Sequence, residues 1–180
     1  MATYTTQNSI LLNNLLAFYK TNNNLDKMLN IINGQSSISL RIVDWFVTNY
    51  AKKYYTVYDI NKKRFKVYND YKLKLRAYSK KRFDPFCRWD RISIPYTENT
   101  HIQTTIGQLN FFKWAIECNV IKYIEENYET IEKDMNSRNS ASKRETITNS
   151  NKTRKKREEL SISASKSIKK EDVEIILKFD

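Results

Sequence analysis

One long apolar repeat at helical spacing constrains the fold of this chain more than any other feature. Within residues 109–135, apolar side chains step by three or four positions, which places them on one face of a helix. Thr105 precedes the repeat, and Gln108 lies three positions after Thr105. This spacing is that of a capping box, which begins a helix. The pattern predicts a long final helix, in which residues 118–119 offer a place for a bend.

The composition of the chain changes at residue 135. Beyond it the sequence consists mainly of Ser, Asn, Thr, Lys and Arg, and such a segment buries too little apolar surface to compensate for the entropy lost on ordering. We therefore predict one compact domain over residues 1–135 and a Ser/Asn/Lys-rich tail over residues 136–180, disordered through residue 168. The tail ends in the apolar residues 173–179, which can add a strand to the domain or to a partner.

Three amino-terminal helices are predicted ahead of these features. Apolar spacing places them at residues 8–20, 24–33 and 39–53. Gly34 is a plausible stop for the second helix, because glycine readily adopts the left-handed conformation that ends many helices.

A β-hairpin, a basic helix and a short strand are predicted next. Residues 56–60 and 65–68 are rich in β-forming side chains and flank a basic tip, which indicates a hairpin. A basic helix then extends from residue 69 or 70 through residue 81, followed by a strand over residues 91–95 and a loop over residues 96–103. The fold class is therefore α+β, mainly helical, with a small β-hairpin in one compact domain.

Residues 50–91 interleave basic and aromatic side chains almost without a break. This window holds fourteen Lys or Arg against four acidic residues, and therefore +10 of the formal net charge of +12. Eleven aromatic residues lie in the same window. Positive charge suits a phosphate backbone, and flat rings suit unpaired bases. The window therefore indicates a nucleic-acid-binding face.

This window allows two other interpretations. In the first, its aromatic residues pack the core while its lysines only solvate the surface, and this stays open. In the second, three helices and a hairpin form a winged helix. The third helix would then read a major groove, but Ile42, Val43, Phe46 and Val47 predict that it is buried.

The sequence offers no catalytic or metal-binding constellation. Two glycines make no phosphate-binding loop, and His101 is the single histidine, predicted to lie exposed in a loop. Cys87 and Cys118 are too few for a disulfide scaffold or a structural zinc site, and Cys118 is predicted to be a core residue. Asp84 and Asp90 are expected to bind neighbouring arginines. We therefore predict a protein that is not an enzyme and needs no cofactor or metal.

The tail carries two basic clusters, at residues 143–144 and 154–157. They resemble a bipartite nuclear-localisation signal or a basic arm for polyanions, and an inert solvated tail fits equally well. No signal peptide or membrane-spanning segment is predicted, because the start lacks a charged region and no run approaches 18 apolar residues. These features predict an intracellular protein without membrane contact.

Three stretches of the sequence resemble a known protein family. They are SLRIVDWFVTNYAKK (39–53), KKRFDPFCRWDRI (80–92) and TTIGQLNFFKWAI (104–116). Together they resemble an uncharacterised family of nucleocytoplasmic large DNA viruses, especially mimivirus-like giant viruses, over about residues 8–135. The resemblance implies a viral protein acting in the host cytoplasm or viral factory, in the nucleus, or in the virion. It implies no catalytic or binding residue.

The sequence thus predicts a non-enzymatic, sequence-nonspecific nucleic-acid-binding protein of a large DNA virus, with DNA and RNA both open as partners. The predicted contact residues are Lys62, Lys63, Arg64, Lys72, Arg76, Lys80, Lys81 and Arg82 for phosphates, and Tyr54, Tyr58 and Trp89 for bases. The alternative is a structural or adaptor protein of the virion or viral factory, whose basic face binds an acidic protein partner. The oligomeric state stays open.

Overall fold

Short helices form the first part of the domain. The computed structural model describes residues 7–97, 100–148 and 170–172. The first helices are α1 (Gln7–Tyr19), α2 (Asn24–Ile32) and α3 (Leu40–Trp45). From α3 the chain continues through a π-helical turn (Phe46–Tyr50) into α4 (Ala51–Lys53). The three predicted helices are confirmed, and the third, whose Ile42, Val43, Phe46 and Val47 are buried as predicted, contains the π-helical turn.

A two-stranded hairpin follows α4. Strand β1 (Val57–Ile60) pairs antiparallel with β2 (Lys63–Lys66). The turn consists of Asn61 and Lys62 alone, with φ of 50° and 64°, as in the tight turns whose twist matches that of paired strands. Lys62 therefore occupies a position that glycine usually takes. The predicted hairpin is confirmed, with a shorter turn than the sequence indicated.

The basic helix α5 (Val67–Arg82) begins directly after β2. Ser79 interrupts it with φ of 58° and ψ of 169°, so its last residues do not follow the phase of the earlier turns. Beyond α5, the backbone N–H of Asp84 donates to the carbonyl oxygen of Gly107. This bond places the end of α5 beside the start of the next helix.

A second sheet corrects one part of the sequence interpretation. Strands β3 (Arg91–Thr97) and β4 (Thr100–Thr105) pair antiparallel, and β5 (Lys170–Asp172) adds to the other edge of β4. The predicted loop over residues 96–103 is therefore wrong, because β4 occupies most of it and includes His101. Ile102 and Ile94 are buried partners in this sheet. Half of the residues of β4 are Thr, which is neither clearly apolar nor clearly polar. The alternation of buried and exposed positions is therefore not recognisable from the sequence.

The predicted long final helix is three helices. They are α6 (Ile106–Glu117), α7 (Val120–Glu126) and α8 (Tyr128–Thr148). The bend expected near residues 118–119 is confirmed, since Asn119 adopts the left-handed conformation with φ of 54°, which Asn tolerates better than most residues. A second break falls at Asn127. Helix α8 passes the boundary predicted at residue 135, while residues 149–169 and 173–180, including the predicted apolar end, lie outside the described residues.

Helix α6 forms the centre of the core. Thr105 accepts a bond from the backbone N–H of Gln108, which confirms the predicted cap. The side chain of Gln108 instead donates to the carbonyl of Pro85, which ties α6 to the segment after α5. Leu109 and its neighbours are buried on almost every side of the helix, and Tyr19 of α1 donates to the Leu109 carbonyl at 2.6 Å. The fold class is α+β and mainly helical, as predicted.

Candidate nucleic-acid interface

A groove of about 480 Å³ lies between the β1–β2 hairpin, α5 and α6. We call it the hairpin groove. Four basic residues line it: Lys63 and Arg64 from β2, Lys74 from α5 and Lys113 from α6. The acidic residues that line it are Asp70 and Glu117. The hairpin groove therefore has an excess of positive charge from three separate elements.

Two hydrogen bonds fix the walls of the hairpin groove. The indole N–H of Trp114 in α6 donates to Asp70 of α5 at 2.8 Å, so this carboxylate is held by the fold. The hydroxyl of Tyr58 in β1 donates to the carbonyl of Cys118 at 2.7 Å. The first bond sets the spacing of α5 and α6, and the second holds the hairpin against the end of α6.

The positive charge on the hairpin tip is not neutralised. Lys62, Lys63 and Arg64 are exposed, and within the described part of the chain none of them has a carboxylate at ion-pair distance. Lys74 is half-buried and has none either. Lys113, by contrast, lies 3.6 Å from Glu117. Three of the four groove cations therefore keep their full charge for a ligand.

Two of the predicted residues on α5 lie outside the hairpin groove. Lys72 and Arg76 are exposed, but a helix turns by about 100° per residue, so they lie on another face than Lys74. They follow Tyr68 at intervals of four, and we call these three residues the α5 stripe. The Lys72 ammonium lies 5.7 Å from the centre of the Tyr68 ring, and the Lys52 ammonium lies 5.8 Å from it.

The last three predicted cations follow the interruption at Ser79. Lys80 is exposed and Arg82 is half-buried. Lys81 lies 2.9 Å from Asp90 in an exposed ion pair, which reduces its charge toward a ligand only slightly because such pairs are weak in water. Asp90 was expected to bind an arginine, and its partner is this lysine.

The predicted base-stacking residues differ in how much of each ring is free. The Tyr58 ring packs 5.4 Å from Phe65 and nearly parallel to Tyr123 at 5.2 Å, and burial raises its pKa. Tyr54 is 49% exposed, with its hydroxyl bonded to a carboxylate of α8. Trp89 is 44% exposed. The packing of Tyr58 leaves little of its ring for a base. Tyr54 and Trp89 are more exposed, although the Tyr54 ring lies 4.5 Å from Tyr50 and 4.8 Å from the Lys53 ammonium.

The acidic, cysteine and histidine residues singled out in the sequence lie in different surroundings. Asp84 binds Arg88 through two hydrogen bonds of 2.8 and 2.9 Å, as predicted. Cys87 is buried, and His101 is exposed as predicted, although on a strand. Cys118 is half-buried, and burial raises the pKa of its thiol to about 11. Residues 7–97, 100–148 and 170–172 contain no cluster of three potential metal ligands, and none of their helices is long and apolar enough to cross a membrane.

Comparison with known proteins places this chain in a family. The family of unknown function DUF7197 matches residues 2–180. The chain belongs to this family. A relative by sequence similarity, the uncharacterized protein L507 of Acanthamoeba polyphaga mimivirus, is 46% identical over 125 residues. The match covers 64% of the present chain and 48% of the relative, so it spans about half of the relative's length. No solved structure matches the chain.

The family assignment confirms the resemblance seen in the sequence. A DUF7197 protein with a mimivirus relative is a viral protein of a family without an assigned activity.

Two groove residues, Lys74 and Lys113, were absent from the predicted contacts. Lys74 could have been found from the spacing of Asp70, Lys74 and Tyr78, which marks one face of α5. Lys113 comes from a distant part of the sequence and had no local signal.

Proposed function

We propose that this DUF7197 protein binds nucleic acid without sequence specificity and without enzymatic activity, through the hairpin groove and the α5 stripe. One observation carries the proposal: Lys63, Arg64 and Lys74 combine an unpaired positive charge with a shared position around one groove. Lysine and arginine that contact phosphates hold a polynucleotide in any sequence. The sites of action that fit are the host cytoplasm or viral factory, the nucleus and the virion.

Salt dependence tests this proposal. Binding of the full chain to a labelled 20-nucleotide single strand and to the matching duplex is measured by fluorescence anisotropy between about 50 and about 200 mM salt. Each neutralised phosphate releases counterions, so affinity should fall steeply, with a logarithmic slope of about −0.7 to −0.9 per contact. An affinity that does not change with salt would contradict the phosphate-binding mechanism.

A second candidate function rests on the acidic surface of α7 and α8. Glu125, Glu126 and Glu129 are exposed there, so one molecule presents both a basic and an acidic surface. Such a molecule can act as a structural or adaptor protein of the virion or viral factory, with its basic face on the acidic surface of another protein or copy. A stable oligomer with no affinity for polynucleotide at about 50 mM salt would favour this function over the first.

A further inference from the structure

Helix α4 ends in a conformation that usually requires glycine. Tyr55 has φ of 48°, and the backbone N–H of Thr56 donates to the carbonyl of Ala51. This is the Schellman arrangement, in which the left-handed residue is most often Gly. Helix α2 ends in the same way with Gly34, whose φ is 71°. The chain therefore uses glycine at one of two equivalent helix ends and tyrosine at the other.

Packing does not explain the tyrosine at this position. The Tyr55 side chain is 83% exposed, more than any other large hydrophobic side chain among the described residues. The left-handed conformation is unfavourable for a residue other than glycine, because its Cβ lies too close to the following carbonyl oxygen. Among the described residues, no ring contact or hydrogen bond of the Tyr55 side chain compensates for this strain. Strained backbone conformations without a structural reason are typical of residues at binding sites.

The surroundings of Tyr55 are basic and partly apolar. Val57, two residues further along, is 41% exposed and pairs across the hairpin with Lys66. Lys52 precedes Tyr55 by three positions, and its ammonium lies beside Tyr68 of the α5 stripe. Lys52 and Lys66 are exposed, and within the described ranges neither has a carboxylate at ion-pair distance. An exposed ring among unpaired cations matches the chemistry of an unpaired base on its phosphate backbone.

The hairpin that follows Tyr55 contains a second residue, Lys62, in a conformation that usually requires glycine. Lys62 holds φ of 64° at the turn between β1 and β2, again with an exposed side chain. In the described part of the chain, four of the other five non-glycine residues with positive φ are Asn, which tolerates this conformation. Tyr55 and Lys62 thus flank β1 with a ring at one end and a cation at the other.

We propose that Tyr55 stacks on an unpaired base, and that the ligand of this surface is single-stranded nucleic acid. This rests on the nucleic-acid-binding function proposed above and specifies its substrate class. A duplex keeps its bases stacked inside the helix, so it offers Tyr55 no face to contact. Single strands should therefore gain from Tyr55, whereas duplexes use only the cations.

Substitution by glycine separates this role from a structural one. Tyr55→Gly removes the ring and the strain together, so its melting temperature should rise by about 2–8 °C. Its affinity for a labelled 20-nucleotide single strand should fall about 5- to 100-fold, as expected for loss of one stacking ring. Its affinity for the matching duplex should change less than about twofold. Tyr55→Phe keeps the ring and should bind both as the wild-type chain does.

Lys62→Gly is the matched control. It relieves the same kind of strain and should also raise the melting temperature, but it removes a cation. It should therefore weaken binding to the single strand and to the duplex by similar factors.

The outcomes distinguish this proposal from the function on which it rests. A more stable Tyr55→Gly that binds the single strand as tightly as the wild-type chain would overturn the stacking role alone. Equal losses on single strand and duplex would also overturn it. Absence of binding by the wild-type chain to either polynucleotide would overturn the nucleic-acid function, and the stacking role with it.

Discussion

The indole N–H of Trp45 in α3 donates to the carboxylate of Asp134 in α8 at 3.1 Å, although the two residues are 89 positions apart. The same carboxylate, largely buried, accepts bonds from Lys53, Tyr54 and Arg138. Burial alone would raise the pKa of Asp134, but these four donors lower it below the ordinary value. Asp134 therefore fastens α8 to the segment that leads into the hairpin and holds Tyr54 in place.

Replacing Asp134 by Asn should destabilise the domain by about 1–3 kcal/mol. The amide offers one acceptor oxygen where the carboxylate offers two, and it leaves donors without a charged partner. Urea unfolding at neutral pH measures the change. Glu126→Gln is the control, because Glu126 pairs with Lys122 only at 3.9 Å on the surface and should change stability by less than about 0.5 kcal/mol. Equal effects of both substitutions would contradict the role of Asp134.

The lowered pKa of Asp134 predicts that part of the domain's stability is lost in acid. A group whose folded-state pKa is lowered stabilises the fold above its unfolded-state pKa, near 4 for Asp, and loses this contribution as the pH falls through the folded-state value. The urea concentration at the unfolding midpoint of the wild-type chain should therefore decrease when the pH is lowered below about 4. The drop should be smaller in Asp134→Asn. An identical acid profile for the two proteins would show that other carboxylates cause the loss.

Gly107 lies too close to α5 for any side chain. A Cβ at this position would lie 2.9 Å from the backbone oxygen of Lys81 and 3.3 Å from the nitrogen of Phe83. Gly107→Ala should therefore destabilise the fold by about 1–3 kcal/mol through overpacking. Gly34→Asn serves as the control, because nothing lies within 4 Å there and Asn tolerates the left-handed conformation. Thermal unfolding compares them, and a stable Gly107→Ala would contradict the tight contact between α5 and α6.

Tyr58 is expected to serve the fold more than a ligand. Tyr58→Phe keeps the ring between Phe65 and Tyr123 but leaves the Cys118 carbonyl without its donor. Stability should fall by about 1 kcal/mol, and affinity for a single strand should stay within about twofold of wild type. Tyr54→Phe is the comparison, because it also removes a tyrosine hydroxyl but from a ring that is half exposed. Unchanged stability of Tyr58→Phe would contradict the structural role of its hydroxyl.

The chain truncated after residue 148 separates the domain from the tail. This truncation keeps α8 and the whole hairpin groove, and it removes both β5 and the basic cluster at 154–157. If the groove is the main contact, the truncated chain should keep salt-sensitive binding with less than about a tenfold loss. Binding by the full chain alone would make the tail the polyanion arm. Anisotropy titrations of both chains on the same single strand decide between these results.

Local patterns predicted most of the helices, the hairpin and the start of α6. The cap at Thr105 and Gln108 was legible because capping depends on residues three positions apart. Strand β4 was missed because its alternation runs through Thr and Gln, whose burial depends on the partner strand. Asn127 gave no sign of the second break in the predicted long helix, since Asn is also common inside surface helices.

The candidate site was predictable in its charge but not in its geometry. The phase of α5 relative to α6 depends on tertiary packing, so the sequence groups Lys72 and Arg76 with Lys63 although they lie on another face. Lys113 entered the groove only through the packing of α6 against α5. Tyr55 could not be singled out, because its strained conformation and its exposure are properties of the folded chain.

Charge reversal in the hairpin groove tests the proposed function most directly. The variant Lys63→Glu, Arg64→Glu, Lys74→Glu is compared with Lys27→Glu, Lys122→Glu, Lys133→Glu, which changes the net charge equally at exposed positions on α2, α7 and α8. Anisotropy with a single strand at about 50 mM salt should show at least about a tenfold loss for the groove variant and less than about a threefold loss for the control. Equal losses, or none in either protein, would contradict binding in the groove.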